Sequence, residues 1–376
     1  MTSPSTTASD GTLSYDQAGV NYDLIDPLKV SAQRAAAATA AQLAAHGVQE
    51  VAASRGESAY VVDVGPFYLA SIVECLGSKA LVADEMARLT GISRYDAIAQ
   101  DTIARAVNDL ITVGATPLVV QAYWAAGGSE WFADAQRAQA LTDGWKRACE
   151  VCGVAWGGGE TPALAGIVEA GRIDLAASCT GWVNPKPRLS LGERLGPGDA
   201  IVLLGSSGIH ANGLSLARRV AAGLPAGYAT DIGDGMPLGE ALLRPTHLYP
   251  RLVAALFDAG LDLRYLVNIT GHGWRKLMRA PRDLSYRLHT LPPVPPVLSF
   301  LARAGGLSPE EAYGNLNMGA GFAVYLPPEQ AARAVAVAAS LGLGAWDAGV
   351  VEAGPRALTI TPLGLRYAGE SLGVRG

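Results

Sequence analysis

The segment that most constrains this chain is a short apolar run that leads through a glycine- and serine-rich turn into a helical pattern. Residues 201–205, IVLLG, predict a buried strand. After Gly213, apolar residues recur at helical spacing, at Leu214, Ala217 and Val220. A turn of this kind can present backbone N–H groups and the positive end of a helix dipole to one anion. The segment therefore favours an α/β layer that handles phosphate.

The side chains of the turn also suit an anion. Hydroxyl, imidazole and amide groups alternate with glycines in it, at Ser206, Ser207, Gly208, His210, Asn212 and Gly213. A corner between strand and helix is also common as a plain tight turn. The phosphate interpretation therefore depends on what the rest of the chain supplies.

Length and composition indicate a two-domain α/β enzyme. The chain has 376 residues, of which 49% are hydrophobic and 17% charged, and this length exceeds what one core usually accommodates. Strand and helix patterns alternate on both sides of a Pro- and Gly-rich stretch at 184–199. We expect a disordered tail at 1–14, an N-terminal domain at 15–183 and a C-terminal domain at 184–376.

Charge and hydropathy argue against two classes of partner. The net charge is −5 and the basic residues are scattered, so no nucleic-acid surface is expected. No apolar stretch approaches the about 18 residues of a membrane span. The polar N-terminus does not resemble a signal peptide, so we expect a cytoplasmic protein without membrane contact.

The four cysteines are Cys75, Cys149, Cys152 and Cys179. The spacing of Cys149 and Cys152 is that of some metal and redox sites, but no second Cys or His pair accompanies it. Because the pair falls late in a helical pattern, we predict that both thiols are packed and reduced.

A long helical pattern that ends at Gly114 carries oxygen ligands. Asp101 and Asn108 are two turns apart and project from one face, and Asp109 lies beside Asn108. Carboxylate and amide oxygens on one face suit Mg²⁺. A solvated polar stripe near a helix end is the alternative interpretation.

Further turns combine glycine with polar groups. Glu74 precedes the turn Gly77-Ser78-Lys79, which can place a carboxylate on a metal and an ammonium on phosphate. The run GGGET at 157–161 lets the backbone approach a ligand closely. Taken alone, each pattern also suits an ordinary surface turn, as do two later glycine turns at 268–273 and 315–321.

In this order, the motifs resemble those of the aminoimidazole ribonucleotide (AIR) synthetase family, the phosphoribosylformylglycinamidine cyclo-ligases. The turn at 206–213 is close to the family's Ser-Ser-Gly-Leu-His-Ser-Asn-Gly, and 158–161 matches its Gly-Gly-Glu-Thr. The similarity runs from about Tyr15 to Val350 and also includes Tyr15 to Tyr22, Glu74 to Lys79, Asn108-Asp109-Leu110, Ile269-Thr270-Gly271 and Asn317-Met318-Gly319.

The resemblance implies a two-domain α/β (α+β) fold in which the N-terminal sheets of two subunits pair into a β-barrel, with nucleotide sites at the interface of the homodimer. It implies an enzyme that uses ATP and Mg²⁺ to close the imidazole ring of a small ribonucleotide, formylglycinamidine ribonucleotide, in purine biosynthesis. In such chemistry the protein acts mainly by positioning and charge neutralisation.

The resemblance also implies roles for individual residues. It assigns catalysis to His210, Lys79 and Asp109, and metal binding to Glu74, Asn108 and Asp109. Nucleotide contacts are expected at Gly77, Ser78, Lys79, Asp101, Asn108, Gly158, Gly159, Glu160 and Thr161. The substrate phosphate is expected at Ser206, Ser207, Gly208, His210, Asn212 and Gly213.

The chain departs from the family pattern where substrate recognition is expected. Glu74-Cys75-Leu76 replaces an Asp-Gly-Val step, and Asn268 replaces a His or Asp. The segment 272–276 reads His-Gly-Trp-Arg-Lys where the cyclo-ligases have further Gly, Leu and Glu-Asn, and 291–299 lacks a Trp. Two alternatives therefore stay open: another ATP-dependent enzyme of the superfamily, similar to thiamine-monophosphate kinase, and a non-catalytic nucleotide-binding dimer.

Overall fold

The computed structural model describes residues 22–233 and 235–372. The tail expected at 1–14 and the motif at 15–21 lie outside the described residues. Within the described ranges, no helix has the length and apolar character needed to cross a membrane.

The first half of the chain contains a six-stranded mixed sheet. Its strands are β1 Gln49–Glu50, β2 Tyr60–Asp63, β3 Tyr68–Cys75, β4 Thr116–Ala126, β5 Ala155–Glu160 and β6 Ile173–Val183. They lie in the order β1-β2-β3-β6-β4-β5, and only the β4–β5 pair is parallel. The glycine run at 157–161 is therefore mostly an edge strand.

Helices cover one face of this sheet. The helices of the first half are α1 Tyr22–Ala38, α2 Lys79–Thr90, α3 Tyr95–Leu110, α4 Glu130–Ala133 and α5 Ala135–Cys152. Of these, α3 and α5 lie against the strands. Helix α3 is buried over most of its length because it packs between α5 and the strands β3 and β6. Its polar residues Asp101, Asn108 and Asp109 are buried as well. The alternative of a solvated polar stripe is therefore wrong.

The opposite face of the first sheet is uncovered and apolar. Val73 on β3 is 72% exposed, and Leu69, Leu118 and Tyr123 are each 37% exposed. Alternation along β3 places Val73 on this open face and Glu74 on the face covered by helices. We call this surface the open sheet face.

The second half contains a seven-stranded sheet. Its strands are β7 Ala200–Gly205, β8 Tyr265–Asn268, β9 Leu284–Leu288, β10 Ala320–Leu326, β11 Ala345–Ala353, β12 Ala357–Ile360 and β13 Leu365–Ala368. The order is β13-β12-β9-β11-β7-β10-β8, and only β12 and β9 are parallel. Strand β10 is buried at every residue, as expected for a central strand with both faces covered.

The helices of the second half are α6 Leu214–Gly223, α7 Leu238–Leu242, α8 Pro250–Asp258, α9 Pro296–Ala304, α10 Pro309–Asn315 and α11 Ala331–Ser340. A 3₁₀ helix at Gly273–Met278 also matters for the site. The strand and helix predicted on either side of the 206–213 turn are β7 and α6. The mixed α/β fold class is confirmed; the barrel formed by two subunits stays a prediction.

The cysteines follow the packing prediction. Cys149, Cys152 and Cys179 are buried and free, and Cys75 is free and exposed. Burial raises the pKa of the Cys149 thiol to about 11. Burial likewise raises the thiol pKa values of Cys152 and Cys179. These thiols are unreactive packing groups.

Candidate active site

Residues 206–213, here called the serine turn, join β7 to α6. His210 has a φ of 61°, which non-glycine residues adopt only when their surroundings hold them there. The imidazole is 3% exposed, and its Nε2 accepts a hydrogen bond from the Ser207 N–H at 3.1 Å. Burial, together with His247 and Lys79, holds the pKa of His210 well below its usual value, so the ring is neutral. His210 therefore supports the turn from inside. Its catalytic role stays a prediction.

Asn317 holds the serine turn from the other side. Its Nδ2 donates to the carbonyl oxygens of Gly208 and Ile209 at 2.8 and 3.1 Å. Its Oδ1 accepts from the Ser206 hydroxyl at 2.9 Å. Because the side chain is buried, these bonds form in a low-dielectric environment and fix the turn before any ligand binds.

Lys79 and Asp101 form a buried ion pair. The Lys79 Nζ lies 2.7 Å from Asp101 Oδ2, and both side chains are 0% exposed. The same ammonium donates to the carbonyl oxygens of His210 and Arg244 at 2.9 and 3.1 Å. Burial lowers the pKa of Lys79 and raises that of Asp101, while each partner opposes the shift of the other. In this structure the pair joins α2, α3 and the serine turn. Contact of Lys79 with ATP phosphate and contact of Asp101 with the nucleotide stay predictions.

Asn108 also has an internal role. Its Oδ1 accepts from the Tyr249 N–H at 3.0 Å, and its Nδ2 donates to the His247 carbonyl oxygen at 2.8 Å. The amide is thereby engaged on both sides inside the protein. The predictions that Asn108 contacts the metal and the nucleotide stay predictions.

Two adjoining cavities form the central cleft between the two halves. One, of about 340 Å³, is lined among others by Glu74, Arg105, Asp109 and Lys276. The other, of about 200 Å³, is lined by Gly77, Ser78 and Gly213. Arg105, Asn212 and Gly271 belong to both linings. The cleft thus brings the Glu74–Lys79 segment, helix α3 and the serine turn together, as the order of motifs suggested.

The cleft does not fit the Mg²⁺ site predicted at Glu74, Asn108 and Asp109. The guanidinium of Arg105 binds Glu74 Oε2 through Nη2 at 2.6 Å and Asn212 Oδ1 through Nη1 at 3.0 Å. Asp109 Oδ1 accepts from the Asn268 amide at 2.7 Å. Across residues 22–233 and 235–372, no three His, Cys, Asp or Glu side chains are arranged to hold a metal ion. Metal binding by Glu74, Asn108 and Asp109 stays a prediction, and the contacts of these three side chains in this structure do not favour it.

Lys276 is a further cation of the cleft, beside Lys29, Arg105 and Arg279. It lies on the 3₁₀ helix at Gly273–Met278 and donates to the Thr270 hydroxyl. Burial lowers its pKa to about 8, with Asp109 acting in the opposite direction. The neighbouring His272 has a pKa of about 4, chiefly because it is buried, and is neutral at pH 7.

The glycine run at 157–161 lies away from the central cleft. Gly157, Gly159 and Glu160 line a cavity of about 580 Å³ together with Val73 and Tyr123. This cavity is on the open sheet face, whereas Glu74 and the central cleft lie on the covered face. A single chain does not bring the nucleotide contacts predicted at Gly158, Gly159, Glu160 and Thr161 to the serine turn.

Several residues of the site escaped sequence reasoning. Arg105 lies one helical turn before Asp109 and one after Asp101, so helical spacing alone could have identified it. Thr246 and Tyr249 belong to the connection between α7 and α8, which carries no motif. Their bonds to Asp101 and Asn108 depend on long-range packing.

Similarity to known proteins agrees with this geometry. The family description "AIR synthase related protein, N-terminal domain" matches residues 56–183, and its C-terminal counterpart matches 196–360. The chain is 34% identical to the phosphoribosylformylglycinamidine cyclo-ligase of Methanothermobacter thermautotrophicus over 86% of this chain and 91% of the relative. The chain belongs to the AIR synthase family. It is also 37% identical to the cyclo-ligase of Parasynechococcus marenigrum, over 68% of this chain and 74% of the relative.

Solved structures show the same AIR synthase fold at lower identity. The protein tt0281 from Thermus thermophilus matches with a TM-score of 0.54 and 20% identity, over 82% of this chain and 90% of that one. The hydrogenase maturation protein HypE in complex with ATP matches with a TM-score of 0.57 and 20% identity, over 81% and 84%. AaThiL complexed with AMPPCP and TMP gives 0.56 and 15%, over 83% and 90%.

Proposed function

We propose that this AIR synthase family member uses ATP to close formylglycinamidine ribonucleotide to aminoimidazole ribonucleotide, with release of ADP and phosphate. The observation that carries the proposal is the serine turn, which Asn317 and His210 hold in place. It opens on a cleft that four cationic side chains line, Lys29, Arg105, Lys276 and Arg279. The cyclo-ligase name of relatives that match most of the chain supports the same reaction.

The proposed reaction has two steps, and the residues of the cleft have a role in each. The γ-phosphoryl group passes from ATP to the amide oxygen of the substrate, and an amidine nitrogen then attacks the activated carbon. The C–O bond breaks, phosphate leaves with the bonding electron pair, and the amidine nitrogen loses a proton. Arg105 and Lys276 neutralise phosphate charge, the serine turn holds the substrate phosphate, and Asp109, oriented by Asn268, accepts a hydrogen bond from the amidine.

The decisive experiment offers the purified protein ATP and formylglycinamidine ribonucleotide. We expect ADP release that requires the nucleotide substrate, with the imidazole product identified by mass spectrometry. Asp109→Asn, which keeps the side-chain shape, serves as the low-activity control. Release of ADP with a different phosphorylated acceptor would instead identify another enzyme of the superfamily. ATP binding without turnover on any acceptor would identify a non-catalytic dimer.

The pKa of Lys276 gives a pH prediction. Its ammonium is charged below about pH 8, so ADP affinity is full below this pH and falls as the pH rises. We expect the Kd of ADP to rise about tenfold from pH 7 to 9, a range in which the phosphates of ADP stay ionised. Isothermal titration calorimetry measures this, and Lys276→Arg, charged throughout, should show no such rise. A pH-independent Kd in the unmodified protein would contradict the role of Lys276.

We further propose a cytoplasmic homodimer with a domain boundary near Asn184, in which the open sheet face meets its copy. Exposed Leu69, Val73 and Tyr123 make this face unusually apolar for a free surface. A barrel built from two such faces would also enclose the cavity beside Gly159 and Glu160, where the nucleotide contacts were expected.

Val73→Arg is expected to dissociate this dimer, because it buries a charge in an apolar interface. The dimer dissociation constant should rise about a hundredfold or more, measured by sedimentation or by light scattering after size exclusion. Leu341→Arg changes an exposed leucine of the second half and is the matched control. Equal masses for both variants would place the interface elsewhere.

A further inference from the structure

The most unexpected group in the central cleft is the guanidinium of Arg105. It occupies the space beside Glu74 and Asn212, one helical turn from Asp109, where the family resemblance suggested a divalent cation. We propose that Arg105 replaces a protein-bound metal ion at this position, so that the cleft binds the phosphate groups of a nucleotide with protein cations alone. In this arrangement no side chain of the protein holds the metal ion, and a cation bound to ATP itself is compatible with it.

The hydrogen bonds of Arg105 leave capacity for a ligand. Nη2 and Nη1 each bind one protein oxygen, on Glu74 and Asn212. The Nε atom is buried, and no hydrogen-bond partner for it occurs among the described residues. A guanidinium has five N–H donors in a planar fork that matches two oxygens of a phosphate. Arg105 lines both cavities of the cleft, so a phosphate oxygen bound there meets a guanidinium that has N–H donors to spare.

The charges around the cleft disfavour a second cation at this place. Glu74 is already compensated by Arg105 at 2.6 Å. The Asp109 carboxylate interacts electrostatically with both the Arg105 guanidinium and the Lys276 ammonium. A divalent ion between Glu74 and Asp109 would have to displace the guanidinium and would be repelled by the Lys276 ammonium. An anion, in contrast, is attracted by both protein cations.

The ligand class follows from the same groups. Two fixed cations, the Asn212 side chain and the backbone of the serine turn converge on the cleft. Charge-assisted hydrogen bonds of this kind select phosphate esters and diphosphates. No covalent step is involved, since the proposal concerns binding only.

A binding experiment with the full chain tests this without relying on the proposed reaction. Mn²⁺ is titrated into the nucleotide-free protein and followed by electron paramagnetic resonance. We expect no bound Mn²⁺ in the unmodified protein, one bound ion in Arg105→Met, and none in Arg105→Met combined with Asp109→Asn. A bound Mn²⁺ in the unmodified protein that is lost in Glu74→Gln would overturn the proposal.

A second measurement uses ADP as the probe, by calorimetry in EDTA and in Mg²⁺. The unmodified protein should bind ADP in both with Kd values within about threefold, and Arg105→Met should weaken binding in EDTA about tenfold or more. Arg105→Lys should restore part of the affinity. Arg147→Met, which removes a surface arginine paired with Asp96, is the control and should leave the Kd unchanged. Loss of ADP binding by the unmodified protein in EDTA would refute metal-free phosphate binding, whatever reaction the enzyme catalyses.

Discussion

Lys79→Met is expected to lower the free energy of unfolding by about 3–5 kcal/mol, because it leaves the Asp101 carboxylate buried without its counter-charge. Both side chains are fully buried, and the ammonium also satisfies the carbonyl oxygens of His210 and Arg244. The loss of these bonds should loosen the serine turn as well. Urea unfolding followed by circular dichroism measures the effect.

A matched surface pair provides the control for this prediction. Lys146 and Glu150 face each other at 3.6 Å on the surface of α5, and both side chains are more than half exposed. Lys146→Met should change the free energy of unfolding by less than about 0.5 kcal/mol. Lys79→Met combined with Asp101→Leu should recover part of the loss, because no uncompensated charge remains. Similar effects of the two single lysine variants would show that the buried pair is not a stability determinant.

Asn317→Asp is expected to reduce kcat/KM for ADP release about a hundredfold while keeping the side-chain shape. The substitution turns the donor that faces Gly208 and Ile209 into an acceptor, so two carbonyl oxygens lose their partner and meet a negative charge. Each unsatisfied buried group costs about 1–3 kcal/mol, and about 2.7 kcal/mol corresponds to a hundredfold in rate. Steady-state kinetics and urea unfolding of the same variant separate the effect on activity from that on stability.

The neighbouring Asn315 gives the control for the Asn317 experiment. Its Nδ2 donates to the Glu311 carbonyl oxygen within α10 at 2.8 Å, away from the serine turn. Asn315→Asp makes the same chemical change and should leave kcat/KM within about threefold of the unmodified value. Equal losses in both variants would mean that Asn317 does not position the serine turn.

The fold could be predicted from the sequence wherever apolar periodicity was regular. The strand predicted at 201–205 is β7, at Ala200–Gly205, and the helix predicted after Gly213 is α6, at Leu214–Gly223. The glycines at 157–159 carry no side-chain pattern, so their position in an edge strand depends on pairing with β4. Local propensity does not contain this information.

The site was predictable as a set of segments but not as a set of contacts. The Gly77-Ser78-Lys79 turn suggested an exposed ammonium, but the partners of Lys79 are Asp101 and carbonyl groups at His210 and Arg244, far along the chain. Burial of a charge depends on which distant segments pack over it. The same reason explains why Arg105 was not foreseen as the neighbour of Glu74.

Helix α3 would link the chemistry of the cleft to the subunit pairing proposed above. One side of this helix packs against the first sheet, whose other face is open. Its polar residues form hydrogen bonds with the second half of the chain. The pairs are Asp101 with Thr246, Asn108 with Tyr249 and Asp109 with Asn268. A ligand that tightens these contacts must act on the same rigid element that supports the open sheet face. If a ligand binds the dimer more tightly than the monomer, thermodynamic linkage requires that the ligand strengthens dimerisation by the corresponding factor. Occupancy of the cleft and self-association are then one coupled equilibrium.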